Sequence, residues 1–331
     1  MSIPIIAISM GDAAGIGPEI TIMALSSPEI WEMCRPLVVG EPRVMEAAIR
    51  VVGSDLRVRA IAAPAEARLA RPWLDVLPPP GLDVGEHVWG RLTPAYGRAA
   101  ALCLGYAYDL AMAGAVQGVV SAPMNKEALH LGGFDYSDEL VYLAHRTHSP
   151  DTAMMGYMRG LWTITVAEHV AFRQIADLVT RQRVLDRIHK LHTVLARDGQ
   201  AQPRIAVAAL NVHAGEGGLY GREEIEQIAP AIDDARAQGV AAQGPVPADM
   251  VFVRALAGAY DGVVCMYHDQ ANIARKLQPM AESATIFCGL PAPGGTTAHG
   301  TAFDIAGQGI ADAGSLRAAL RAVTALTAGR R

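Results

Sequence analysis

Short apolar runs, each followed by a longer stretch of helical period, recur along this chain, and that alternation constrains its fold more than any other feature. The run at 3–9 ends in Met10-Gly11-Asp12, and Gly15-Ile16-Gly17-Pro18-Glu19 then opens a helix with Pro and Glu in its first turn. Strands at 36–40, 118–122, 204–210, 262–266 and 284–288 alternate with helices over 41–52, 98–113, 181–195, 223–238 and 315–327. Thr180 caps the third of these helices. The runs at 153–158 and 161–166, joined through Arg159-Gly160, predict a hairpin and hence an antiparallel element in an otherwise parallel sheet. Residues 63–90, rich in Pro and Gly, read as surface loops, and 328–331 as a frayed tail. The whole pattern is α/β, and 331 residues suit two such domains or one large one.

Composition narrows the class. A chain 51% hydrophobic and 18% charged is that of a well-packed globular protein. A net charge of -5 and no run of Lys or Arg speak against nucleic acid and against a polybasic membrane patch. MSIPIIAISMGD carries no basic leader or cleavage site, and its apolar run is too short to span a bilayer, so a cytoplasmic enzyme is expected. Cys34, Cys103, Cys265 and Cys288 are scattered among apolar residues, which predicts reduced, buried thiols.

Three of the strands end alike. One runs into Ala167-Glu168-His169, a second into Asn211-Val212-His213-Ala214-Gly215-Glu216-Gly217-Gly218, and a third into Tyr267-His268-Asp269-Gln270. Carboxyl ends of strands are where α/β sheets bind ligands, and three imidazoles delivered there can form a metal site with open positions. Pattern alone gives equal weight to hydrogen-bonded loop histidines, because separations this long fix no geometry. Asp269 and Asp249 can orient an imidazole or accept a proton; each is equally a cap or turn residue. Lys126 and Lys276 can hold an anion or transfer a proton, with solvated surface lysine as the plainer reading. His299-Gly300-Thr301-Ala302-Phe303-Asp304-Ile305-Ala306-Gly307 has small residues that let backbone approach a planar ligand, although Asp304 can equally cap a helix. The Gly-x-Gly-x-x-Gly fingerprint of a Rossmann fold is absent.

With these segments in view, the chain resembles the 4-hydroxythreonine-4-phosphate dehydrogenase (PdxA) family, of the isocitrate/isopropylmalate dehydrogenase-like fold. The likeness runs nearly end to end. Its markers are the segments around Gly11–Glu19, Ala122-Pro123-Met124-Asn125-Lys126, His213, His268 and His299. The resemblance implies two α/β/α domains with an active-site cleft between them: 1–125 plus 290–331 on the cofactor side, and 126–289 for metal, substrate and dimerisation. It implies oxidation of a β-hydroxy acid by NAD or NADP, followed by loss of carbon dioxide. It also implies a divalent metal (Zn, Mg, Mn or Co) on three histidines drawn from two subunits of a homodimer. Carried over by position, His169, His213 and His268 are the metal ligands, and Asp249 and Asp269 maintain the active site. Lys276 binds substrate, and His299, Gly300, Thr301, Ala302 and Asp304 wrap the adenosine. Lys276 or a nearby aspartate handles the hydroxyl proton.

The chain departs from that family where substrate is gripped. Glu139 and Leu140 stand in place of a His-Thr pair, Thr285 in place of an Asn, and Gly294 in place of an Arg. Losing a guanidinium and gaining a carboxylate reverses the electrostatics of a phosphate pocket. The expected substrate is therefore an altered hydroxy acid, such as the carboxylated cis-dihydrodiols oxidised by relatives of terephthalate dihydrodiol dehydrogenase type. One alternative is 4-hydroxythreonine-4-phosphate, or 4-phospho-threonate or -erythronate, with Arg275 or Arg146 replacing the lost arginine. Another, of a different class, is a non-catalytic metabolite-binding protein on the same scaffold.

Overall fold

The computed structural model describes residues 3–328; of the expected tail, Ala328 closes the last helix and 329–331 lie outside the described residues. The chain divides into two compact units. One runs up to Ala153 and resumes with Met280–Thr327; the other is Met154–Pro279.

The first unit contains β1 (Ile5–Ser9), β2 (Arg35–Val39), β3 (Arg57–Ala60), β4 (Trp73–Leu77) and β5 (Gly118–Ser121). The second holds β6 (Ala153–Met158), β7 (Leu161–Ala167), β8 (Ile205–Ala208), β9 (Ala242–Val246) and β10 (Gly262–Tyr267). The chain then returns to the first unit with β11 (Ser283–Cys288) and β12 (Gly294–Thr297). Strand order in the first unit is β3-β4-β2-β1-β5-β12-β11, parallel except where β11 runs against β12. In the second it is β6-β7-β10-β8-β9, parallel except for the β6–β7 hairpin, in which Met158 faces Leu161. Both units are thus α/β with mixed sheets.

Burial explains the continuous apolar runs. Ile6, Ala7 and Ile8 of β1 are fully enclosed, as strands covered on both faces must be. The helix Pro94–Met112 offers Ala99, Ala100, Cys103, Leu104 and Ala107 as its buried surface, and such small side chains let a helix lie close on a sheet. The second core gathers Met158, Ala206, Val246, Val251, Val263 and Cys265.

The segment 126–153 belongs with the first unit, although the second domain was expected to start at 126. The helix Lys126–Leu131 lies backbone to backbone on Pro94–Met112, so closely that a Cβ on Gly97 would run into the Ala128 carbonyl. Tyr142 also donates its hydroxyl to Ala101 O at 3.2 Å. Residues 283–288 stay there too, because β11 pairs with β12 rather than ending the second unit at 289.

The 63–90 stretch is not all loop. It contains β4, four of whose five residues are buried. Its Asp75 is enclosed yet satisfied, accepting from Arg59 Nε at 2.7 Å and from the Arg68 and Leu69 amides at 2.8 Å. None of the four cysteines forms a disulfide; three are buried and Cys288 is half-buried. Among the described residues, no helix is long and apolar enough to cross a membrane.

Candidate active site

In the second unit, the parallel neighbours β7, β10 and β8 present their carboxyl ends on one side. His169 follows β7, and His268 follows β10 as the first residue of a helix, His268–Lys276. Their ring centroids lie 5.6 Å apart. The two imidazoles border a hollow of about 200 Å³ also lined by Ala167, Phe172, Tyr267 and Asp269. Asp269 Oδ1 lies 2.7 Å from His268 Nδ1. In the turn after β8, Glu216 Oε2 lies 3.1 Å from His213 Nδ1. A carboxylate on Nδ1 leaves Nε2 as the ligating nitrogen, the usual outer support of a metal-binding histidine. His213 does not join the other two rings: among the described residues, no three His, Cys, Asp or Glu side chains of one chain could hold a metal ion together.

The backbone under two of these histidines is left-handed. His169 has φ 47°. From His213 to Gly217 five consecutive residues have positive φ, with His213 at (50°, 34°), Ala214 at (56°, 39°) and Glu216 at (45°, 54°). At about 1–2 kcal/mol for each residue with a Cβ, those three cost about 3–6 kcal/mol. Strain of that size is kept where function requires it. Around His213 the surface is apolar: Val212, Leu219 and Tyr220 are all more than half exposed.

Asp249 lies exposed in the first turn of the helix Ala248–Leu256. Lys276 closes the helix that His268 opens, and at 1.5 Å per residue it stands about 12 Å along the axis. Asp269 is therefore the acidic candidate brought directly onto a histidine.

In the first unit the expected adenosine segment is knitted to the turn after β1. Ile16 N donates to Thr301 O at 2.9 Å, Asp12 N to Pro123 O at 2.9 Å, and Gly90 N to Ala14 O at 2.8 Å. Buried Glu19 accepts from the amides of Gly307 and Gly309. In the sheet of this unit β1 has β2 on one side and β5 on the other, a switch point where α/β sheets bind ligands. Within the segment Thr301 is buried, Ala302 has φ 41°, and Gly300 and Asp304 are exposed. His299 Nδ1 lies 3.0 Å from Gly300 O, while its buried Nε2 has no partner. An orphaned ring nitrogen beside exposed small residues fits a polar planar ligand.

Two first-unit residues were missed by sequence reasoning: Glu19 and Asp12. Asp12 is fully buried, with Oδ1 accepting from Ala14 N at 2.9 Å and Oδ2 unpartnered. Burial pushes its carboxyl up to about 6, against the lowering effect of the Ala14 bond. The signal was an acid inside Gly11-Asp12-Ala13-Ala14-Gly15, where the small neighbours leave no solvent path.

The expected substrate residues divide between the units, with Lys276 in the second and the rest in the first. Glu139 begins the helix Glu139–Arg146, capped by Asp138, whose Oδ1 accepts from Val141 N at 2.9 Å. It is half-buried, and burial pushes its carboxyl up to about 7; Asp138 adds to the rise and Lys126 opposes it. Leu140 is buried. Thr285 and Gly294 lie on adjacent strands, opposite Thr296 and Phe287 respectively. A side chain at 294 has no room, because its Cβ would fall on the hydroxyl of Tyr108. That hydroxyl is buried and has no hydrogen-bond partner. Arg146 is committed to Asp109, with Nε at 3.0 Å. Arg275 is half-buried beside Gly156, and burial lowers its pKa while Glu168 opposes the shift.

The family described as "Pyridoxal phosphate biosynthetic protein PdxA" matches residues 32–323. The chain belongs to the PdxA family. It is 41% identical over 324 residues to D-threonate 4-phosphate dehydrogenase of Cupriavidus necator, covering 96% of each chain. It is 42% identical over 319 residues to 4-hydroxythreonine-4-phosphate dehydrogenase of Desulfosudis oleivorans, covering 96% of this chain and 94% of that one. The crystal structure of 4-hydroxythreonine-4-phosphate dehydrogenase from Klebsiella pneumoniae superposes with a TM-score of 0.86 at 38% identity, covering 98% of each chain. A terephthalate 1,2-cis-dihydrodiol dehydrogenase from Burkholderia xenovorans is more distant, with a TM-score of 0.67 and 28% identity over 97% of this chain and 98% of that one. The PdxA-family fold is thus carried by the full α/β framework described above.

Proposed function

We propose that this PdxA-family chain is a metal-assisted, NAD- or NADP-dependent dehydrogenase of a β-hydroxy acid, acting as a homodimer. The observation that carries the reading is the meeting of His169 and His268 at parallel strand ends, with Asp269 fixed on His268 Nδ1. The residues fit a divalent ion. Two imidazoles border one hollow, and His213 stands on an exposed, apolar-rimmed turn suited to serve a second copy. When bound, the ion (Zn, or Mn, Mg or Co) polarises the substrate hydroxyl and lowers its pKa. Asp269 keeps the His268 Nε2 lone pair outward. Lys276 holds a substrate anion, and Lys276 or Asp249 receives the hydroxyl proton. His299, Gly300, Thr301, Ala302 and Asp304 hold the adenosine end of the dinucleotide. The keto acid so formed has its carbonyl β to the carboxylate and loses carbon dioxide.

The substrate we propose lacks a phosphate, with a carboxylated cis-dihydrodiol as its class. Leu140 is apolar, Tyr108 fills the place of a side chain at 294, and Glu139 presents a carboxyl that a phosphate would meet unfavourably. A second reading, 4-hydroxythreonine-4-phosphate or threonate 4-phosphate as substrate, is favoured by the names of relatives at 41–42% identity. It needs a cation that Arg146, tied to Asp109, does not offer.

Purified protein with zinc, manganese or magnesium is to be given NAD or NADP and each candidate acid, following reduced cofactor by absorbance. We expect kcat/KM for a carboxylated cis-dihydrodiol to exceed that for either phosphorylated acid by about tenfold or more. A preference for a phosphorylated acid would overturn the substrate reading. No turnover of any acid would overturn the enzyme reading and leave a metabolite-binding protein.

A further inference from the structure

The left-handed turn at 213–217 does not hold itself. Glu224 is only 3% exposed. Its carboxylate accepts from Leu210 N at 2.9 Å, Asn211 N at 2.7 Å and Asn211 Nδ2 at 2.9 Å. Glu223 accepts from the same Asn211 amide at 2.7 Å. The carboxylate also presses on the turn itself: a Cβ on Gly215 would sit 2.8 Å from Glu224 Oε2. A glycine at 215 therefore serves both the positive φ of 75° and the close approach of the acid.

Glu223 precedes and Glu224 opens a widened helical turn, Glu224–Ile228, in which Ala229 N reaches back five residues to Glu224 O. Pro230 explains the widening, since it has no N–H for the carbonyl four residues before it. Such widened turns occur often at functional sites because they re-aim side chains. A carboxylate is the group suited here: it offers only acceptors, and three donors converge on it.

We infer that Glu224, supported by Glu223 and Asn211, is a positioning residue that latches the left-handed turn and so fixes the direction of His213. The inference rests on the metal reading above. Glu224 touches neither metal nor substrate in it; the acid acts through the backbone of 210–215.

The test uses the full-length protein, with zinc affinity measured by competition against a chromophoric chelator and amide exchange followed by mass spectrometry. In Glu224→Gln, an amide nitrogen replaces one acceptor oxygen. Zinc affinity should fall about 10–100-fold, and exchange should quicken at 210–218 while other peptides of Met154–Pro279 keep their protection. Asn211→Ala, which spares the carboxylate–backbone bonds, should show a smaller loss of the same kind and decides the matter if Glu224→Gln does not fold. Zinc affinity within about twofold of wild type in the folded variant, or protection lost evenly across the second unit, would overturn the latch. If the wild-type protein binds no zinc, the metal reading fails. The exchange data then judge the latch alone, with selective loss at 210–218 supporting it and unchanged exchange overturning it.

Discussion

The two units bring their strand ends to chemistry by opposite means. In the first, backbone meets backbone: the turn after β1 bonds to Thr301 and Pro123, and small residues make the approach possible. In the second, side chains stand out from strained backbone, and His213 remains about two-thirds exposed. The contrast separates two needs. A flat, extended ligand is recognised by closeness, which small side chains and satisfied amides supply. A ligand atom bound along a lone pair is recognised by direction, which a fixed and costly backbone supplies.

The sharpest way to break this contrast is His268→Ala. If the second edge is functional, turnover should fall about a thousandfold or more, while the melting temperature barely moves, because the side chain is 45% exposed. Retained activity in the cofactor-absorbance assay would remove His268 from the site.

Gly11→Ala probes the other edge and should fail in the opposite sense, through stability. Its φ is 71°, and the new Cβ would lie 2.5 Å from Pro123 O and 2.7 Å from Ala122 O, both backbone atoms. We expect a loss of about 3 kcal/mol or more by urea denaturation. A loss below about 1 kcal/mol would mean that the two turns are not closely packed.

The smallest effect is a pH dependence at Asp12. Its folded pKa, about 6, lies above the ordinary 3.8, so the folded state binds the proton more tightly than the unfolded one. Stability contributed by that proton is full below about pH 4, is lost as pH rises to about 6, and stays lost above it. Asp12→Asn should therefore match wild type near pH 4 and exceed it near pH 7, by at most about 3 kcal/mol. Equal denaturation midpoints at both pH values would show that Asp12 is not enclosed as described.

Much of the framework was legible in the sequence because buried parallel strands leave plain marks. β1, β5, β10 and β11 are short, mostly apolar runs, and the 153–166 hairpin announced itself through Arg159-Gly160. β3 and β4 were missed for a physical reason. β3 reads Arg-Val-Arg-Ala and buries little, while β4 carries Asp75, whose burial depends on Arg59 and on two amides of a loop between the strands. The unit boundary was misplaced because close backbone packing of 126–131 on 94–112 leaves no periodic signal beyond Gly97 itself. At the candidate site, strand ends revealed the three histidines. They could not reveal that two meet within one chain and the third does not, since that depends on the turn taken after β8. Glu224 was hidden for the same reason: a buried acid in a helical stretch looks like a solvated one until its donors are known.

The pairing of Gly294 with Tyr108 bears on how this part of the first core can change by substitution. A side chain gained at 294 collides with the tyrosine, so it cannot come first. Shrinking Tyr108 first opens a void in the first core, at a cost of about 3–5 kcal/mol for so large a ring, a large share of a domain's whole stability. Each order of events passes through a disadvantaged protein. The two residues therefore act as a ratchet: with both in place, a side chain can enter at 294 only if Tyr108 gives way as well.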